Sequence, residues 1–76
     1  MSELEQRMEE VLRVLLGDMA PVAINNEKTK LGIADQPLDQ QYLPMVAEGV
    51  RQLCADMAGD DLARNIYNRL MSLADN

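Results

Sequence analysis

The sequence predicts an all-α fold, a small bundle of about four short helices packed as a homodimer, on three observations. Apolar residues recur at three- and four-residue spacing along most of the chain, which places them on single faces of helices. No segment alternates apolar and polar residues with period two, and aromatic and β-branched residues do not cluster, so nothing reads as a strand. Glycines stand where the first three periodic stretches end, at Gly17, Gly32 and Gly59, as helix C-termini favour. At 76 residues, the chain reads as one helical domain over 1–76, because so short a chain buries only about 60% of the surface its unfolded form exposes.

In the first helix, Leu4, Met8, Val11, Leu12 and Leu15 share one face, Glu5, Glu9, Glu10 and Arg13 take the other side, and Gly17 is the stop. Glu3 and Glu5 in its first turn suit the positive end of the helix dipole. Asp18 is the expected N-cap of a second helix, with Pro21 in its first turn and Gly32 ending it near Leu31. Two strips mark that helix, Met19, Val22 and Ala23 on one side and Ala20, Ile24 and Leu31 on another; Asn25 to Lys30 has no apolar anchor. From Gly32 to Leu43 the chain reads as a connection, with Asp35-Gln36-Pro37 as turn chemistry and a short turn over Leu38 to Tyr42.

A third helix begins around Pro44 and carries the cleanest stripe, Leu43, Val46, Ala47, Val50, Leu53, Cys54 and Met57, so it is the expected central core helix. Gly59 stops it. Asp60 or Asp61 then caps a fourth helix with the face Leu62, Ile66, Leu70 and Leu73, supplemented by Ala63, Tyr67 and Ala74.

Composition excludes most chemistry. The chain has no His, so it lacks the ordinary proton shuttle near neutral pH and an imidazole metal ligand; its single Cys allows neither an internal disulfide nor a Cys-rich zinc site. Cys54 lies in the strongest apolar stripe with no base to activate it and reads as a buried structural thiol. Adjacent helical residues point about 100° apart, so Glu9-Glu10 and Asp60-Asp61 do not converge on one site. The stretch Asp56 to Asp61 lacks the alternating oxygen ligands and terminal Glu of a calcium loop, and no phosphate-cradling or hydrolase-elbow pattern occurs. We therefore expect no enzyme, no cofactor and no metal.

A net charge of -6 opposes non-specific attraction to phosphate backbones and anionic lipid. No apolar run approaches the roughly 20 residues that span a bilayer, and the acidic N-terminus is unlike a secretory signal, so the cytoplasm is the expected location. With only two Tyr and no Phe or Trp, the core rests on aliphatic side chains, and small domains with thin cores often gain stability by association. The first helix, with Val14 and Leu16 flanking its stripe, has a wider apolar arc than one contact needs. The expected function is a non-enzymatic protein-interaction module, an adaptor or regulator and a homodimer, with Leu4, Met8, Val11, Leu12 and Leu15 as its contact surface. The plainer alternative is that this face contacts two neighbouring helices of the same chain.

The six Met suit either an adaptable contact surface or a core, and core packing is the expectation for Met19, Met45, Met57 and Met71. One alternative function is a helix-turn-helix over residues 50–73, in which Arg64, Asn65, Asn68 and Arg69 would face a DNA groove, although acidic residues stand where phosphates approach. Another is an acidic mimic of DNA, which suits the charge alone.

Overall fold

Ser2 opens the first helix. Its Oγ accepts the Glu5 backbone N–H at 3.0 Å, so a donor that the helix start leaves without a partner is satisfied. This computed structural model describes residues 2–74. The first helix, α1, spans Glu3–Leu16 and ends at Gly17, whose φ of 56° few residues with a Cβ adopt. A 3-10 turn over Gly17–Met19 bends the chain into α2, Ala20–Lys30. A connection follows, ending in a second 3-10 turn over Gln40–Tyr42 that Asp39 caps by accepting the Gln41 N–H at 3.1 Å. Helices α3, Leu43–Ala58, and α4, Asp60–Met71, are separated by Gly59 alone. Its φ of 94° and ψ of 164° lie in a region essentially reserved for glycine, which is why one residue suffices. Among the described residues there is no strand, so the fold is all-α.

Successive helices run in opposite senses. Glu5 near the start of α1 pairs with Lys28 near the end of α2, and Ser72 to Ala74 beyond α4 border Glu3, Leu4 and Arg7. The side-chain amide of Gln40, just before α3, donates to the Leu73 carbonyl at 3.5 Å, so α4 returns alongside α3 to where α3 begins. These two helices form the most extensive pairing in the molecule. The radius of gyration, 11.1 Å, is what a compact chain of this length shows, about 11 Å.

The core takes Met8, Val11, Leu12 and Leu16 from α1, Ala20, Ala23 and Ile24 from α2, Leu43, Val46, Ala47, Val50 and Cys54 from α3, and Ala63, Ile66 and Leu70 from α4. Leu38 joins them from the connection, and Ile33 is buried there too. Several side chains expected inside lie outside. Leu53 and Met57 of the α3 stripe, Leu62 of α4, and Met19 and Met45 are all exposed, Met57 at 59% and Met19 at 58%; Met71 packs partly against the core. The reason is geometric: α4 and α2 cover a narrower arc of α3 than its apolar stripe subtends, and α4 presents Ala63, Ile66 and Leu70 rather than Leu62.

Both expected N-caps also differ. Asp18 lies within the 3-10 turn, its side chain fully exposed and 3.8 Å from the Arg13 guanidinium, and α2 starts from Met19 with no side-chain cap. Asp60 and Asp61 are the first helical residues of α4, and Gly59 holds the cap position, so they act on the helix dipole rather than as caps.

A buried polar network ties the N-terminal end of α1 to the connection. Glu5 and Lys28 are each only 6% exposed. Glu5 Oε1 accepts both the Lys28 ammonium at 3.0 Å and the Leu38 backbone N–H at 2.7 Å, while Ser2 Oγ donates to the Leu38 carbonyl at 2.9 Å. Burial alone would push the Glu5 carboxyl up. The Leu38 N–H and the Lys28 ammonium outweigh burial and hold it below the usual carboxylate range. Lys28 thus supplies, as a charge, the anchor that the second half of α2 lacks as apolar surface.

Gly49 sits in mid-helix on α3 against the Glu27 side chain of α2, and a Cβ there would meet its carboxylate end, which would have to shift. Removing that obstacle should release the ordinary cost of a helical glycine. In a Glu27→Ala background, Gly49→Ala should stabilise the chain by about 0.5–1 kcal/mol, read by urea titration. In the unmodified chain the gain should shrink or vanish. An equal gain in both backgrounds would show that Glu27 does not constrain this position.

Candidate interaction surface

The first-helix face expected to meet a partner is occupied from within the chain. Met8 and Leu12 are 0% exposed, Val11 is buried, and Leu4 and Leu15 pack partly against the same core. Its arc is wide because α1 contacts both α2 and α4, so the surplus apolar width serves two neighbours in the bundle. Met8, Val11 and Leu12 are core residues of the folded chain.

The apolar surface lies elsewhere. Val14, Met19, Val22, Met45, Leu53, Met57 and Leu62 are the large hydrophobic side chains left exposed. One of them, Leu53, lines a groove of about 420 Å³ between α2 and α3, whose walls include Ala23, Asn26 and Lys30 on one side and Gly49, Gln52, Leu53 and Asp56 on the other. Val22 lies one turn before Asn26 on α2 and Met57 one turn past Leu53 on α3, while Met19 stands in the 3-10 turn that leads into α2. Apolar side chains thus continue the groove toward the Met19 and Met57 end. Near its other end, Glu27 Oε2 accepts the Lys30 ammonium at 3.2 Å.

Sequence reasoning placed Leu53 and Met57 on a core stripe and expected Met19 to pack in the core, while Val22 shared a strip of unstated role. Periodicity shows which residues share a face, but not how much of that face a neighbour covers.

Arg64, Asn65, Asn68 and Arg69 are all exposed on α4. Arg64 and Asn68 line a cleft with Glu48, Arg51, Asp60 and Tyr67. Arg51 is held there by Glu48, whose carboxylate takes two guanidinium hydrogen bonds at 2.9 and 2.6 Å and sits below the usual carboxylate range, chiefly through that contact. The cleft carries as many carboxylates as guanidiniums, and Asp60 and Asp61 occupy the N-terminal turn of α4. An approaching phosphate would meet no net positive charge.

Cys54 is fully buried, and burial pushes its thiol up, away from the thiolate that nucleophilic chemistry needs. Among the described residues no group of carboxylates and Cys is placed to hold a metal ion. No helix among them is long and apolar enough to cross a membrane. No protein-family model, curated protein or solved structure matches the chain.

Proposed function

We propose that this chain is a non-enzymatic protein-interaction module of the cytoplasm, an adaptor or regulator that works as a homodimer through its α2–α3 face. The observation that carries the reading is that Leu53 lines the α2–α3 groove and stays exposed, as do Val22 and Met57 one helical turn beyond its walls and Met19 just before α2, while none of the four belongs to the core. Exposed apolar patches of this kind on small domains are characteristic of contact surfaces, and Met side chains adapt readily to a partner. The absence of His and the buried, protonated state of Cys54 favour binding over catalysis.

Light scattering behind a sizing column, over a range of concentrations, tests the homodimer. The unmodified chain should approach the mass of two chains rather than the 8.5 kDa of one. Leu53→Gln together with Met57→Gln should return it to one chain with helix content unchanged, because neither side chain belongs to the core. Val14→Gln, on α1 and 73% exposed, should leave association intact. Equal loss in both variants would remove the α2–α3 face from the proposal.

A further inference from the structure

The α2–α3 groove carries opposite charges toward its two ends, and that arrangement specifies how a second copy would sit on it. The two helices are antiparallel, and Glu27 lies against Gly49. Lys30 is three residues beyond Glu27 on α2, and Asp56 is seven residues beyond Gly49 on α3. At about 1.5 Å per residue the two charges are therefore about 15 Å apart along the groove. Asp56 is exposed and, among the described residues, makes no hydrogen bond or ion pair, while the ammonium of Lys30, whose side chain is 72% exposed, meets Glu27 alone among them.

We propose that the groove receives a second copy of this chain about a two-fold axis through its middle, with Lys30 of each chain pairing with the partner's Asp56. The inference rests on the homodimer reading above and adds the register. A two-fold axis midway between Lys30 and Asp56 superposes each on the other's position, so one surface is its own complement. The same axis passes close to Asn26 and Gln52, whose amides both donate and accept and can pair with their own copies. Leu53 lies about 3 Å from the axis along the groove, near enough for the two copies to form a shared apolar centre. Met57 falls toward the partner's Lys30, whose aliphatic stem can cover it.

Charge explains why register matters. Each chain carries -6, so repulsion between two copies is largely screened beyond about 8 Å at physiological salt and opposes approach within that distance. Local pairs of opposite sign then select the orientation. A standard interface needs about 800 Å² per partner, about a sixth of the 4612 Å² that the chain exposes.

The test is a charge exchange read by sedimentation or light scattering across a concentration series. Lys30→Glu sets like charges against each other twice in its own dimer, as does Asp56→Lys, and each variant alone should associate at least about tenfold more weakly than the unmodified chain. An equimolar mixture of the two restores both opposite-sign pairs and should recover association to within about threefold of the unmodified chain. A folding defect cannot produce recovery on mixing. If the unmodified chain dimerises but the mixture does not recover, the register is overturned and the homodimer stands. If the unmodified chain keeps the mass of one chain throughout, the register and the homodimer fail together.

Discussion

Lys28→Met is expected to destabilise the chain by about 3–5 kcal/mol, because it leaves the buried Glu5 carboxylate without its counter-charge. Against a total stability of about 4–11 kcal/mol for a domain of this length, that loss brings the fold close to its limit. The Leu38 N–H would still be accepted, but one hydrogen bond does not replace an ammonium at 3.0 Å. The double variant Glu5→Leu with Lys28→Met should be less damaged than Lys28→Met alone. It removes both charges and leaves only the Leu38 N–H unsatisfied, at about 1–3 kcal/mol. Urea titrations of the three proteins decide the matter, and a double variant weaker than the single one would show that the ion pair is not the source of the loss.

The same network sets a pH dependence. The Glu5 carboxyl lies below its ordinary value of 4.5 in the folded chain, so its ionised form favours folding. That contribution is complete above the ordinary value and is lost as pH falls through the lower native one. Between pH 5 and more acidic solution, roughly pH 3, the unmodified chain should therefore lose stability more steeply than Glu5→Gln. Parallel acid slopes would mean that Glu5 titrates alike in the folded and unfolded chain.

Leu12→Glu should abolish the folded state rather than separate two folded chains. Leu12 is fully buried, and truncating such a side chain to Ala costs about 2–5 kcal/mol before any charge is introduced. A carboxylate there finds no partner in the aliphatic core and adds several kcal/mol more. Circular dichroism at neutral pH should show global loss of helix. A helical single chain in its place would put Leu12 at an interface between copies, and the core described for α1 would be wrong.

Much of this fold is legible in the residues. Helical periodicity places Met8, Leu12, Val46, Val50, Ile66 and Leu70 on inward faces, and Gly17, Gly32 and Gly59 mark helix ends, because a 3.6-residue repeat and a positive φ are local properties. Ser2 was legible too and was missed: Ser2-Glu3-Leu4-Glu5 has the spacing of a capping box. Glu5 does not complete that box, since its carboxylate turns to Lys28 and Leu38.

The sequence by itself determined that the chain is helical, where its helices stop, and which residues share a face, since each follows from backbone geometry over a few neighbours. Only the tertiary structure decided which faces are covered. It buried the first-helix stripe against two helices and left Leu53 and Met57 outside. It also joined Glu5, Lys28 and Leu38 across separations of 23 and 33 residues. Burial and ion pairing depend on where distant segments come to rest, and a pattern read along one helix carries no term for its neighbours.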